Sequence, residues 1–292
     1  MKKLFKYLVI ICVLFTAAII TAGGVSAQVL KPQRNELSLY AGGGLSTLQY
    51  KLQTGRQQNG IGMQVGGGYT FFFTRGVGLG TGLELDLYQA SARLSGFSDS
   101  YDVIGATVEG NYTYTYKFAK YTETQRALIV NIPLMLHFEK GRQYKYFLRL
   151  GGKAGFPVKA TGVSKKNEIA TEGYFPHEGR TYDDLPQYGC GKYEYLKRKT
   201  SLDKLNLNYM ASVETGVKWK AGTNNDLYAG VYADYGLGNL LATNDKTFVK
   251  GTLTADKPTI SSIVESQYAG KPFTEEITPL AVGVKVRFTF MR

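Results

Sequence analysis

The sequence VGVKVRFTF, residues 282–290, alternates apolar side chains with glycine, basic and hydroxyl side chains. Successive side chains of a β-strand point to opposite faces, so this stretch predicts a strand with one apolar face and one polar face. The sequence VGLGTGLELDLY, residues 77–88, repeats the pattern and carries Glu84 and Asp86 on its polar face. This period of two favours an all-β fold over a helical one.

Six further segments alternate in the same way. Their apolar positions run over residues 37–41, 61–73, 128–138, 144–150, 205–219 and 227–237. Short links at residues 74–76, 139–143 and 221–225 then alternate with long links at residues 46–59, 96–125, 161–202 and 240–275. Such alternation is typical of an outer-membrane barrel, which has tight periplasmic turns and long outside loops. We therefore expect an eight-stranded antiparallel up-and-down transmembrane β-barrel with long extracellular loops and short periplasmic turns.

The N-terminal segment has the features of a secretory signal peptide. Lys2, Lys3 and Lys6 precede an apolar run over residues 7–20, and small residues at the −3 and −1 positions end at Ala27. We expect residues 1–27 to be cleaved and residues 28–292 to form the barrel domain in the bacterial outer membrane. A single retained helical anchor is the alternative.

The charge and composition limit the classes of partner that this chain is expected to bind. The chain has 292 residues, 35 of them Lys or Arg and 23 Asp or Glu, for a net charge of +12. This excess suits anionic lipid or polysaccharide, although a generally basic surface explains it equally well. Cations are not interleaved with stacking aromatics in the manner of a nucleic-acid site, so we expect no nucleic acid. After cleavage only Cys190 remains, which excludes an intrachain disulfide.

The polar strand faces carry acids and cations that cannot face lipid, where a midplane Lys or Arg costs about 2–4 kcal/mol. We expect them to meet inside a narrow lumen as a polar plug. The predicted lumen charge cluster is Glu84, Asp86, Lys145, Arg149, Lys153, Glu214, Lys218, Asp234, Lys285 and Arg287. Glu84, Arg149, Glu214 and Asp234 lie at comparable heights above the short turns, but the unknown shear leaves individual pairs open.

Aromatic side chains on the apolar faces cluster near the short turns. They are Phe71, Phe73, Phe138, Tyr144, Tyr146, Trp219, Phe288 and Phe290. Ordinary β-propensity would scatter them along the strands, so the clustering indicates a membrane-interface girdle.

The chain resembles the small outer-membrane β-barrel proteins related to the OmpA transmembrane domain, and among them the PorT-like proteins common in Bacteroidota. The resemblance is carried by a signal ending Ser26-Ala27-Gln28, by glycine-rich strands and by the closing segment at residues 284–290. It implies that the last strand is read by the barrel-assembly machinery during biogenesis.

The long connections are expected to carry any recognition. Tyrosines alternate with threonines at residues 112–118, which predicts a β-ribbon above the membrane, and the third connection is also rich in tyrosine and lysine. The candidate recognition residues are Tyr112, Tyr114, Tyr116, Tyr174, Tyr182, Tyr188, Tyr193 and Tyr195. The alternative is that these side chains pack against one another. The segment around Cys190 is expected to be accessible to maleimide from outside.

Candidate chemistry is sparse. His137 and His177 are the two histidines. His137 has no Ser two residues on, and His177 has Asp183 and Asp184 nearby as a candidate metal or base site but nothing that fixes their geometry. We therefore expect no catalytic residue, no metal and no cofactor. The predicted role is a non-enzymatic structural, accessory or surface-interaction barrel with a plugged lumen. A narrow passive channel or a lipid-modifying enzyme is the alternative. Expected partners are outer-membrane lipid and lipopolysaccharide, the barrel-assembly machinery, and a protein or glycan at the extracellular loops.

Overall fold

The computed structural model describes residues 34–107, 110–165, 167–195, 197–202, 205–251 and 257–291. Eight long strands dominate this part of the chain. They are β1 (Arg34–Gln49), β2 (Ile61–Phe72), β3 (Val77–Thr107), β4 (Gly110–Gly141), β5 (Tyr144–Ser164), β6 (Asn208–Lys220), β7 (Asn225–Gly236) and β8 (Thr278–Met291). The predicted signal peptide at residues 1–27 lies outside the described residues.

These strands form a closed ring. Each one pairs antiparallel with the next along the chain, and β8 also pairs with β1. At that seam Leu39 stands opposite Phe288, while its other neighbour is Gly67 on β2. Closure gives each strand of the ring a hydrogen-bonding neighbour on both sides, so the ring leaves no open edge. The predicted all-β antiparallel architecture is confirmed.

Shorter elements lie outside the ring. The short strands cover Arg56–Asn59, Asn167–Phe175, Arg180–Tyr182, Gly191–Tyr195, Arg198–Ser201, Lys246–Thr247, Val249–Lys250, Thr259–Ile260, Ser266–Tyr268 and Lys271–Pro272. Single 3₁₀ turns occur at Pro186–Tyr188 and Ile263–Glu265. Within the described ranges, no helix has the length and hydropathy needed to cross a membrane.

Short turns occupy one end of the ring and long connections the other. Two residues, 142–143, join β4 to β5, where Gly141 has a φ of +141° that favours glycine. At the opposite end β3 and β4 continue as a paired ribbon, with Tyr101 opposite Tyr114. The loop expected over residues 96–125 is therefore mostly strand, as the tyrosine alternation indicated.

The predicted start of β6 was wrong. β6 begins at Asn208, whereas the alternation placed its start at Leu205. The reason is that Asn206 bonds to the last long connection instead of β5: its backbone N–H donates to Leu240 O at 2.8 Å and its Nδ2 to Leu241 O at 3.0 Å. Residues 205–207 thus continue the alternating sequence pattern but are not part of the paired strand β6.

The two faces of the ring have opposite chemistry. Leu39, Leu134 and Val284 point outward and are 59–63% exposed. Glu84 and Lys153 point inward and are buried. A water-soluble domain has the reverse arrangement, so the ring is built to have an apolar surrounding and a polar interior.

The apolar core lies beyond the ring, at the end with the long connections. Phe97 of β3 packs on Phe248 and Phe273 of the last connection, with ring centroids 5.9 and 5.4 Å away. Tyr116 and Phe118 of β4 belong to the same buried cluster. We call the described parts of residues 88–127, 167–202 and 237–277 the outer cap.

Candidate functional site

Side chains that point into the ring bring together equal numbers of opposite charges. The carboxylates are Glu36, Glu84, Asp86, Glu139, Glu214, Asp226 and Asp234, and the cations are Arg34, Lys145, Arg149, Lys153, Lys218, Lys285 and Arg287. A buried charge is costly unless it is paired, so this balance is what makes a polar interior compatible with folding.

Lys218 organises the group nearest the short turns. Its Nζ lies 2.6 Å from Glu36 Oε1, 3.1 Å from Glu139 Oε2 and 2.9 Å from Asp226 Oδ2. The Tyr228 ring centroid is 4.7 Å away, and the Tyr228 hydroxyl donates to Glu36 at 2.6 Å. The ammonium therefore has an acceptor for each of its three protons and an aromatic face beside it.

Glu214 organises the central group. Its Oε2 lies 2.9 Å from Arg287 Nη2, 3.5 Å from Arg149 Nη1 and 3.6 Å from Lys285 Nζ. The Tyr40 ring centroid is 4.1 Å from Arg287 Cζ and 5.0 Å from Lys285 Nζ. One carboxylate thus faces three cations, and the ring face of Tyr40 stabilises two of them.

Lys153 organises the group nearest the outer cap. Its Nζ contacts Glu84 and lies 2.8 Å from Asp234 Oδ2. Lys285 reaches Glu84 at 3.2 Å, which links this group to the central one. Ligand atoms of Glu84, Asp86 and Asp234 lie within 4.8 Å of one another, a spacing that would suit a cation. The Lys153 ammonium already takes that position on two of the three carboxylates.

All ten residues of the predicted lumen cluster point into the ring, and nine are buried; Lys145 is partly exposed beside the turn, 2.7 Å from Glu139. Sequence reasoning missed Arg34, Glu36, Glu139 and Asp226. Each lies just beyond the predicted end of its strand, and each occupies an inward-facing position of the alternation. Extending the alternation to the strand ends would have found them.

Aromatic rings fill the space between the charged groups. Tyr40, Tyr88, Tyr228 and Tyr232 point inward and are at most 7% exposed. Tyr40 has room because Gly66 faces it: a Cβ at Gly66 would lie 2.7 Å from Tyr40 Cζ, closer than carbon atoms can approach. The interior is therefore occupied by side chains as well as neutralised.

The predicted girdle residues all lie near the short turns with outward-facing side chains. Phe73, Phe138, Tyr144, Tyr146 and Phe290 are exposed, and the others are partly exposed. Tyr144 stands opposite Trp219, and the Phe288 and Phe290 rings meet at 4.9 Å. They form a band of aromatic rings at this end of the apolar outer face.

The predicted recognition tyrosines divide into two sets. Tyr112, Tyr114 and Tyr116 are buried in the outer cap, so their expected role at the surface was wrong. Tyr112 stacks on Phe175 at 5.0 Å, and Tyr114 donates to Gly189 O at 3.0 Å. The cap strands extend beyond the apolar outer face of the ring, so these rings supply the cap with an apolar core of its own.

The remaining candidates lie nearer the surface. Tyr174 is exposed, and Tyr182, Tyr188, Tyr193 and Tyr195 are partly buried. The Tyr195 hydroxyl donates to Pro258 O, and Tyr182 donates to Glu178 at 2.5 Å. Most of this set is thus engaged within the chain, which leaves Tyr174 as the most accessible ring.

Glu123 ties the last connection to the ribbon. This buried carboxylate accepts hydrogen bonds from Tyr121 Oη at 2.8 Å, Gln125 Nε2 at 3.1 Å, the Ser262 hydroxyl and the Ile263 backbone N–H at 3.1 Å. Burial raises the pKa of Glu123 above its ordinary value, and these donors partly offset the shift. Sequence reasoning missed it because it lies in the segment assigned to a loop.

The two histidines and the cysteine have structural surroundings. His137 packs edge-on against Phe72 at 4.9 Å, and its Nε2 is 3.7 Å from Glu139, which already binds cations. His177 is exposed. Cys190 is fully buried and burial raises its thiol pKa to about 11, so the expected access of maleimide to this thiol was wrong. A buried, protonated thiol is a poor nucleophile.

The comparison with protein families agrees with this architecture. Residues 18–242 match the family described as "Outer membrane protein beta-barrel domain". A major outer membrane protein from Thermus thermophilus is 12% identical, with 88% of this chain and 99% of that chain covered and a TM-score of 0.35. Ail, the attachment invasion locus protein of Yersinia pestis, solved with a heparin analogue, sucrose octasulfate, is 10% identical, with 89% and 98% covered and a TM-score of 0.24. No curated protein matches. Because the family match spans most of the sequence, this chain belongs to the outer membrane protein β-barrel domain family.

Proposed function

We propose that this protein is a non-enzymatic outer-membrane barrel with a closed lumen, and that it acts as a structural, accessory or surface-interaction protein through its outer cap. The observation that carries the proposal is the balanced ion-pair network that runs from Lys218 through Glu214 to Glu84. A permeation path would have to displace these groups, and leaving one of them unpaired is strongly unfavourable.

The proposed topology places the short turns in the periplasm and the outer cap outside. Supporting it are the apolar outer face, the aromatic band beside the turns and the signal-like residues 1–27. The finer identity, an eight-stranded OmpA-type transmembrane barrel of the PorT-like kind from Bacteroidota, is part of the proposal. So are cleavage after Ala27 and recognition of β8 by the barrel-assembly machinery.

A folded cap favours interaction at the surface over transport. Its ribbon and connections share one aromatic cluster, so the cap presents a fixed outer surface. Ile104 and Tyr174 remain exposed on the ribbon and on the strand paired with it. A protein or glycan partner would meet apolar and aromatic side chains there, as at other binding surfaces.

Single-channel recording in planar bilayers tests the closed lumen. We expect no steady conductance from the wild-type protein. A variant with Tyr40→Ala, Tyr88→Ala and Tyr232→Ala removes three rings from the interior and serves as the positive control for an opened lumen. Steady wild-type conductance would establish the narrow channel instead.

A turnover assay tests the remaining alternative. Purified protein in mixed micelles is incubated with phospholipid and with lipid A, and the acyl chains released are measured by mass spectrometry. We expect no release above the level of a heat-denatured sample. Turnover that His137→Ala abolishes would establish a lipid-modifying enzyme, since His137 is the histidine inside the ring.

A further inference from the structure

A basic groove lies on the outward face of β3, β4 and β5, where that face changes from apolar to polar. Leu87 stands opposite Leu128, and the next outward pair is Gln89 opposite Arg126. The groove has a volume of about 650 Å³ and contains all four of these side chains. It therefore spans the boundary between the apolar band and the outer cap.

A β-bulge brings a lysine to this boundary. Ile129 pairs with Pro157 and Leu128 with Lys159, so Val158 is an extra residue on β5. Val158 and Lys159 are consequently both exposed on the outward face, although they are consecutive. A bulge re-aims the side chains that follow it, and here it places an ammonium directly beside the apolar band.

Three further lysines reach the groove from the connection that follows β5. The short strand Arg198–Ser201 pairs with β5, with Lys199 opposite Val163. Lys197 and Lys165 line the same groove. All three are exposed.

The groove is strongly one-sided in charge. Five cations, including Arg126 and Lys159, line it, and its lining contains no Asp or Glu. None of the five makes an ion pair with a carboxylate in the described part of the chain; Arg126 Nε donates to Gln89 Oε1 at 2.9 Å. Unlike the lumen cations, these charges are available to an anion from outside the chain.

We propose that this groove binds the phosphorylated headgroup of an anionic lipid of the outer leaflet, of the bis-phosphorylated disaccharide type. The inference rests on the proposed membrane topology, which puts this boundary at the headgroup level. Charge complementarity supplies the phosphate contacts. Leu128 and the neighbouring exposed Val158 and Phe156 offer an apolar surface for the acyl chains, which favours a lipid over a soluble polyanion.

Native mass spectrometry of the detergent-solubilised protein, titrated with diphosphoryl lipid A, tests the proposal. We expect Arg126→Ala, Lys159→Ala and Lys199→Ala together to weaken binding about tenfold, the effect of three exposed ion pairs. Lipid A stripped of both phosphates should bind the wild type as weakly as the triple variant binds the intact lipid.

The matched control removes the same charge at the opposite end of the ring. Lys140→Ala, Arg142→Ala and Lys220→Ala, all exposed beside the short turns, should leave the affinity within about twofold, below the loss of one exposed pair. If the triple variant fails to fold, Lys197→Ala with Lys199→Ala, outside the ring, is used instead.

Three results would overturn the inference: unchanged affinity in the groove variants, an equal loss in the control, or inorganic pyrophosphate binding as tightly as the lipid. Each would leave unchanged the two measurements that test a closed barrel, namely single-channel conductance and the difference in gel mobility that a closed barrel predicts between unboiled and boiled protein. Failure of the proposed function would show in those two measurements instead.

Discussion

Neutralising Glu214 tests the ion-pair network at its centre. Glu214→Gln keeps the side-chain volume but removes the charge that faces Arg287, Arg149 and Lys285. The substitution leaves these buried cations with one carboxylate fewer to balance their charge. Removing one partner of a buried pair commonly costs about 3–5 kcal/mol, so we expect a loss of unfolding free energy in that range.

The geometry also ranks the partners in a double-mutant cycle. Arg287 makes two hydrogen bonds to Glu214, at 2.9 and 3.3 Å, whereas Arg149 approaches only to 3.5 Å. Glu214→Gln with Arg287→Met restores the charge balance, so the double variant should lose less than the sum of the single losses. We expect a coupling of about 0.5–3 kcal/mol, smaller for Arg149→Met.

Urea unfolding in detergent micelles, followed by the folded and unfolded bands in gels, gives the free energies. The control is Glu172→Gln, which breaks a 2.8 Å pair with Lys117 on the outer surface. That exposed pair should contribute about 0–1 kcal/mol. A Glu214→Gln cost no larger than the control, or additive losses with both arginines, would refute a desolvated, paired lumen.

Three further predictions follow from the ring and its cap. Closure satisfies the backbone of the ring internally, so unboiled protein should migrate faster in gels than boiled protein; identical mobility contradicts a closed barrel. Cys190 should resist maleimide until the protein is unfolded, whereas His177→Cys in a Cys190→Ala chain should be labelled on intact cells; labelling only after the outer membrane is breached would reverse the topology. The folded chain holds the Glu123 proton more tightly than the unfolded chain does, so cap stability should fall as pH rises from the ordinary glutamate pKa through the raised one. Proteolysis of residues 257–277 between about pH 4 and 8 measures this slope, and Glu123→Gln should abolish it.

The ring could be predicted from the sequence because the alternation of apolar and polar side chains is repeated in every strand. Period-two alternation assigns Glu84 and Lys153 to the inward face without any knowledge of pairing. The pairing itself depends on register and shear. This is why Lys285 on β8 could not be matched in advance to Glu84, three strands away on β3, or to Glu214, two strands away on β6. The register of the intervening strand pairs brings Lys285 within 3.2 Å of Glu84 and 3.6 Å of Glu214.

The outer cap was harder to predict from the sequence because its contacts join residues that are far apart in the chain. Tyr112 and Tyr114 alternate as the ribbon requires, but alternation does not tell which face will be covered. The cover comes from Phe175 for Tyr112 and from the backbone at Gly189 for Tyr114, both in the next long connection of the chain. Cys190 was misjudged for the same reason: it lies in a long connection, yet that connection folds back on the ribbon.

The inward face of β3 changes from charged to apolar side chains within a few residues, and in the proposed topology this change marks the outer boundary of the membrane-spanning part. Asp86 is followed on the same face by Tyr88, Ala90 and Leu94, all buried. Below the change the outward face is apolar and the interior can be polar, because lipid covers the strands and the charges pair. Above it the outward face meets water, so the interior must supply the apolar burial that holds the strands together. Lys159 lies on the outward face at this level, which is why the change of core and the basic groove coincide.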